Sequence, residues 1–418
     1  MTPAPATTAA AVDYKSIDYK SIDYKSFPIA QLQCETDTGI ETVPLAQETA
    51  FSSWQPSIPE RYWTMEAPEL AERIQAARAL LGKRVVILGH HYQREDIIQF
   101  ADERGDSFAL AQYASERPES DYIVFCGVHF MAEAADILAA PHQQTILPNM
   151  EAGCSMADMA AEGDVHAAWA ELRDVFGSTD DIIPVTYMNS AASLKAFCGA
   201  NNGVVCTSSN AGKVLEWAFQ RGKRVFFFPD QHLGRNTGHA MGIPLDQMVL
   251  WNWRLPAGNR GGATAEALDR SRIILWQGHC SVHQRFTVTQ IEQARARYPE
   301  AKIVVHPECR ADVVQAADAN GSTAYIVKYI EQAPAGSVIG VGTEINLVSR
   351  LAKEHPDKTI FCLDPVVCPC STMYRVHPAY LAWVMEELVA GRVVNRIQVP
   401  EAHKRDAKVA LERMLALK

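Results

Sequence analysis

From Glu69 onward the chain alternates short runs of branched and aromatic residues with polar turns and longer helix-like stretches. The runs fall at 84–88, 122–125, 182–185, 224–228, 273–276, 303–305 and 338–341. Their length, β-branching and alternation with helical segments predict strands of parallel α/β layers. A single sheet this long would be unusual, so several small sheets are expected. Polar residues cluster just after the runs, as in Gly89-His90-His91-Tyr92-Gln93, Tyr187-Met188-Asn189, Thr207-Ser208-Ser209-Asn210, His306-Pro307-Glu308 and Gly342-Thr343-Glu344. Parallel α/β proteins bind ligands outside the carboxyl ends of their strands, where helix N-termini present free N–H groups. The chemistry is expected there.

Two stretches break this rhythm. Residues 13–27 repeat Asp-Tyr-Lys-Ser-Ile/Phe three times with a period of five, which matches neither a helix face nor a strand face, so a disordered tail over about residues 1–60 is expected. Residues 231–265 are rich in glycine and carry Trp251 and Trp253, which reads as an inserted lid or surface loop.

At 418 residues the chain exceeds what one hydrophobic core serves, and two or three domains are expected. A net charge of −10 argues against binding a nucleic-acid backbone, which needs clustered Lys and Arg. No apolar run approaches the ~18 residues of a membrane span, and no basic start leads into an apolar leader. A soluble, cytoplasmic protein is the expectation. Ten cysteines are too dilute for a disulfide scaffold, so reduced thiols are expected.

Three of those thiols stand in turns rather than strand interiors: Cys154 after Gly153, Cys280 three residues before His283, and Cys370 in a loop with Pro369. Singly, each reads more readily as a small buried hydrophobe. Together they would make a soft donor set for an iron-sulfur cluster or zinc. Cys126, Cys198, Cys206 and Cys362 lie in or beside apolar runs and read as structural, while Cys309 is ambiguous. Gly105-Asp106-Ser107, Thr207-Ser208-Ser209-Asn210-Ala211 and Gly321-Ser322-Thr323 read first as helix caps, and as an anion site if they converge. His90, Tyr92, His283, His306 and Glu308 offer titratable groups at strand ends.

These motifs, taken in order, resemble the quinolinate synthase family. The resemblance runs from about residue 81 to 385. It is carried by Gly-His-His-Tyr-Gln at 89–93, Gly-Asp-Ser at 105–107, Phe-Met-Ala-Glu at 130–133 and Leu-Pro-Asn-x3-Gly-Cys at 147–154. Tyr-Met-Asn at 187–189, Thr-Ser-Ser-Asn-Ala at 207–211, Trp-x-Gly-x-Cys-x-Val-His at 276–283, His-Pro-Glu-Cys at 306–309 and Gly-Thr-Glu at 342–344 complete it.

The resemblance implies three related three-layer α/β domains in a pseudo-threefold triangle around a central active site. The implied spans are 61–155 completed by 371–418, 156–267 with the 231–265 insertion, and 268–370. It implies a 4Fe-4S cluster on Cys154, Cys280 and Cys370, with Cys368 as the fallback for the third. The implied reaction condenses iminoaspartate with dihydroxyacetone phosphate to quinolinate in de novo NAD biosynthesis, with an aspartate-oxidising enzyme as metabolic neighbour. Tyr92, His90, His306 and Glu308 would carry proton transfer. Tyr187 and Asn189 would orient a carboxylate, Ser107, Ser208, Ser322 and Thr323 would donate hydrogen bonds to substrate oxygens, and His283 would support the site beside Cys280. Two features depart from the family pattern: His91, where asparagine is common, and the presence of both the tail and the 231–265 insertion, the latter resembling a longer branch of the family. Another cluster-dependent dehydratase of a small carboxylate, or a non-catalytic iron-sulfur sensor, remains open on the residues alone.

Overall fold

The computed structural model describes residues 58–366 and 369–417; the repeat-bearing tail and Cys368 lie outside them. Each of the seven runs picked out by the hydrophobic pattern is a strand, and shorter strands complete three separate sheets. The first sheet contains β1 (Val85–His90), β2 (Glu103–Gly105), β3 (Tyr122–Cys126) and β4 (Gln144–Ile146). The second contains β5 (Ile182–Tyr187), β6 (Val204–Cys206), β7 (Arg224–Phe228), β8 (Met248–Trp251) and β9 (Ile273–Trp276). The third contains β10 (Lys302–Val305), β11 (Ala319–Asn320), β12 (Val338–Gly342) and β13 (Thr359–Cys362). A last short strand, β14 (Arg396–Ile397), joins the first sheet beside β4 as its antiparallel edge.

The sheets share one plan. Their orders are β2-β1-β3-β4-β14, β6-β5-β7-β9-β8 and β11-β10-β12-β13, and every pairing except that of β14 is parallel. In each, the second strand flanks the first on one side, the third flanks it on the other, and a later strand lies beyond the third. β8 and β14 stand outside the correspondence, adding outer edges to the second and first sheets. All residues of β1 and β5 are buried, as expected of strands covered by helices on both faces. The chain is thus a layered α/β protein built on three parallel sheets.

The expectation of an irregular lid at 231–265 is corrected. A helix, Gln231–Ala240, and strand β8 occupy much of that stretch. The glycines that suggested a loop are packing positions: a Cβ on Gly234 would stand 2.6 Å from Leu275 Cδ2, and one on Gly238 2.6 Å from Ile273 Cδ1. Spaced by one helical turn, they let the helix lie close on the sheet. Asp230 caps it, its Oδ1 accepting from the amides of His232 and Leu233 at 2.6 and 2.8 Å. Asn236 Nδ2 then reaches across to the carbonyls of Pro307 and Cys309, 2.8 Å each, bracing the loop that holds His306 and Glu308.

The C-terminal segment serves two sheets. Helix Pro378–Val389 packs on helix Ala67–Leu81, where Glu386 accepts from Arg73 at 2.9 Å and from the Tyr62 phenol at 2.5 Å. The final helix, Glu401–Ala416, packs on helix Ala192–Ala200 of the second sheet. Among the described residues, no helix is long and apolar enough to cross a membrane.

Candidate active site

The carboxyl ends of all three sheets line one cavity, and each sheet delivers the same three kinds of group. The end of the first strand and the turn after it bring a titratable group, joined in the second sheet by an amide: His90 and Tyr92, then Tyr187 with Asn189, then His306 and Glu308. The turn after the second strand brings a hydroxyl at or just before a helix start: Ser107, Ser208 and Thr323. A loop after β4, β9 or β13 brings a thiol: Cys154, Cys280 or Cys370. Val128, Phe130, Met131, Met156, Val282 and Met373 form the apolar wall. No Lys or Arg is among the lining residues. Ser322 does not line the cavity; its hydroxyl caps helix Thr323–Gln332 by accepting from the Tyr325 amide.

The three thiols occupy equivalent local structures. Each cysteine is followed by serine, and its carbonyl accepts from the amide four residues on: Asp158 to Cys154 at 3.1 Å, Gln284 to Cys280 at 3.0 Å, Tyr374 to Cys370 at 2.9 Å. Each therefore opens a helical turn. Burial raises all three thiols, Cys154 to about 12, while backbone N–H groups of that turn, including Ala157, His283 and Met373, pull the other way. Soft donors in an apolar cavity, each facing turn amides that favour the thiolate, fit an iron-sulfur group bound through Cys154, Cys280 and Cys370. Cys280 Sγ also lies within 4.8 Å of ligand atoms of His283 and Glu308. Cys126, Cys198, Cys206 and Cys309 are buried away from the cavity lining, and Cys362 is partly buried.

The titratable groups form one hydrogen-bonded series. Tyr187 donates to Glu308 Oε1 at 2.5 Å, and His283 Nδ1 lies 2.8 Å from Glu308 Oε2. His283 Nε2 is 3.1 Å from Thr343 Oγ1, which is 2.8 Å from the Tyr92 hydroxyl; Thr323 donates to that hydroxyl at 3.2 Å. One assignment of protons satisfies every member. Hydroxyls donate in sequence from Thr323 through Tyr92 and Thr343 to His283 Nε2, and Nδ1–H and the Tyr187 phenol both donate to an ionised Glu308. Burial pushes the Glu308 carboxyl up, but His283, His306 and the two hydrogen bonds outweigh it and hold the group below the usual carboxylate range. Burial and the nearby Glu308 charge keep both phenols protonated, well above their ordinary values.

His90 and His306 are matched. Nδ1 of His90 accepts from the Tyr92 amide at 3.1 Å, and Nδ1 of His306 accepts from the Glu308 amide at 3.3 Å. Burial holds both well down, His306 to about 3, so each ring is neutral with its proton on Nε2. Asn189 adds a buried Oδ1 with no hydrogen-bond partner among the described residues.

Two participants went unremarked in the sequence. Thr343 was visible inside Gly-Thr-Glu, but a threonine before a helix carries no signal of its own. Asp106 caps helix Ser107–Ser115 through the Ala109 amide at 2.9 Å and also accepts from Ser209 Oγ at 2.6 Å, joining the hydroxyl stations of two sheets. His91, the departure from the family pattern, is not among the lining side chains.

Three parallel sheets that aim acid–base groups, hydroxyls and thiols into one cavity define an α/β enzyme with a thiol-lined centre. A family profile described as quinolinate synthetase A protein (NadA) matches residues 72–416. The quinolinate synthase of Corynebacterium glutamicum is 59% identical over 368 residues, covering 88% of this chain and 92% of that one. Those of Nocardioides sp. and Geobacillus thermodenitrificans are 55% and 53% identical, covering 84% and 86% of this chain and 90% and 97% of theirs. The chain belongs to the quinolinate synthase family.

Proposed function

We propose that this protein makes quinolinate for NAD biosynthesis by condensing iminoaspartate with dihydroxyacetone phosphate, releasing phosphate and two waters. The observation that carries this reading is the convergence of three equivalent thiol turns with the Tyr187–Glu308–His283–Thr343–Tyr92 series on one cavity. A 4Fe-4S cluster on Cys154, Cys280 and Cys370 would supply a Lewis-acidic iron with a coordination position free for substrate.

The chain's own residues account for binding and proton movement. Both substrates are anionic, yet among the described residues no Lys or Arg lines the cavity. Ser107, Ser208 and Thr323, with the helix N-termini that carry them, bind phosphate and carboxylate oxygens in place of a cation. The Nε2–H groups of His90 and His306 add neutral donors, and Asn189 and Tyr187 orient a carboxylate. Tyr92 exchanges protons with the triose-derived part, and its proton passes through Thr343 to His283 Nε2, where the imidazolium is balanced by Glu308. Glu308, bonded to Tyr187 and His283, balances the charge that develops as protons are released on ring closure, and the Nε2–H of His306 hydrogen-bonds the oxygen that leaves as water. Ser322 acts through its helix cap.

Iminoaspartate hydrolyses in water, so an aspartate-oxidising enzyme must supply it. Oxygen-free protein carrying iron and sulfide, incubated with both substrates, is expected to form quinolinate and to form none when either is omitted. Colourless, zinc-loaded protein that makes no product would refute the reading.

A further inference from the structure

One motif remains outside the cavity. Glu344 of Gly-Thr-Glu caps helix Ile345–Glu354, its Oε2 accepting from the amides of Asn346 and Leu347 at 2.8 and 3.4 Å. Its other oxygen accepts from the Cys370 amide at 3.1 Å and from Asn346 Nδ2 at 2.9 Å. The second hydrogen of that amide reaches the Tyr92 carbonyl at 3.4 Å. One turn along the helix, Arg350 donates to the His91 carbonyl at 2.5 Å and the Gln93 carbonyl at 3.4 Å. Three consecutive carbonyls of the turn after β1 are thus taken by two side chains of one helix, which belongs to the third sheet.

Arg350 is costly for so plain a task. It is 5% exposed and forms no ion pair among the described residues; Glu354, Glu95 and Glu344 act on it only at longer range. A buried guanidinium with no carboxylate in contact loses hydration that carbonyl dipoles and more distant carboxylates only partly replace, and burial lowers it from its ordinary value. Water could satisfy three turn carbonyls at less expense. What water cannot do is fix them in space. The fork of Arg350, with Asn346 between its two acceptors, sets the path of the backbone at 91–93 and hence where the Tyr92 phenol meets Thr343 and Thr323.

We propose that Asn346 and Arg350 are positioning residues that hold the His91–Tyr92–Gln93 turn on the third sheet, while Glu344 ties the same clamp to the Cys370 loop. This rests on the reading of Tyr92 as a proton carrier. The clamp touches no substrate; it aligns a first-sheet phenol with third-sheet hydroxyls, an alignment that loses activity steeply when displaced.

The test uses full-length protein with its iron restored, as wild type, Asn346→Ala, Arg350→Met and Arg350→Lys. Amide exchange over residues 88–98 is expected to quicken in Asn346→Ala and Arg350→Met while exchange over 182–187 is unchanged. Iron content should equal wild type, kcat should fall roughly tenfold to a hundredfold, and KM should stay within about threefold. Arg350→Lys, which keeps the charge but not the fork, should recover part of both losses. Unchanged exchange over 88–98 overturns the proposal, as does kcat within about twofold of wild type. Faster exchange throughout, or a matching loss of iron, assigns the pair to general stability and also overturns it. If wild type makes no quinolinate, the functional reading fails, and the exchange data still decide whether the clamp exists.

Discussion

The Tyr187 phenol and the Glu308 carboxylate meet at 2.5 Å across the boundary between the second and third sheets, so one anion orders groups from two separate layers. Glu308 is also the charge against which His283 can become an imidazolium. Glu308→Gln keeps the shape and removes that charge, and it turns one accepting oxygen into a donor facing Tyr187 or His283. The expected loss in kcat is on the order of a hundredfold to ten-thousandfold, the usual range for removing an acid–base group. Iron content should be unaffected. Steady-state kinetics beside an iron assay checks this, and a Gln variant with near-normal kcat would remove Glu308 from the proton path.

Thr343 offers a cleaner cut because it touches neither the cavity nor a cysteine sulfur of the proposed cluster set. Thr343→Val preserves volume but breaks the link between Tyr92 and His283, and the expected fall in kcat is at least about tenfold. Thr343→Ser restores the hydroxyl and should recover most of it. The stability cost of the valine variant should be about 1–3 kcal/mol, since it leaves His283 Nε2 buried and unpaired. Comparing kcat and thermal midpoints of the two variants separates a broken relay from a weakened fold.

Cys280→Ser, Cys154→Ser and Cys370→Ser should each lower bound iron and sulfide and abolish turnover, because a hydroxyl is a poor match for a soft metal. Cys362→Ser and Cys309→Ser should retain iron. The contrast matters more than any single variant. If Cys362→Ser lost iron and Cys370→Ser kept it, the assignment of thiols to the third sheet would be wrong.

The seven long strands were legible because β-branched runs such as Val85–His90 and Ile182–Tyr187 are buried on both faces and flanked by turn residues. The edge strands were not. Glu103–Gly105, Val204–Cys206 and Ala319–Asn320 are two or three residues long, too short for any periodicity to register. Yet those strands place Ser107, Ser208 and Thr323, so the common plan of the sheets was hidden in the least readable segments. The helix at 231–240 was misread because Gly234 and Gly238 signal a loop locally and a close helix–sheet contact only in three dimensions. Thr343 and Arg350 act on partners some 250 residues away in sequence, and no local pattern encodes such a pairing.

Stability should also depend on pH through a residue remote from the thiols. Lys195 is fully buried, its ammonium donating to the Ser190 carbonyl and lying 5.6 Å from the Phe130 ring centroid. Burial lowers it from 10.5 to about 8, only partly offset by Glu133 and Cys198. Because the folded state holds this proton less tightly than the unfolded chain, the penalty is complete below about pH 8 and fades as pH rises towards 10.5. At ~1.4 kcal/mol per pH unit, that span corresponds to roughly 3 kcal/mol. Lys195→Met removes the titrating group and leaves the Ser190 carbonyl without this donor, a cost of about 1–3 kcal/mol that narrows any gain at pH 7. Urea midpoints at pH 7 and pH 9.5 decide the matter: the rise seen in wild type should be smaller in Lys195→Met, and equal rises in both would show that Lys195 contributes nothing to the pH dependence.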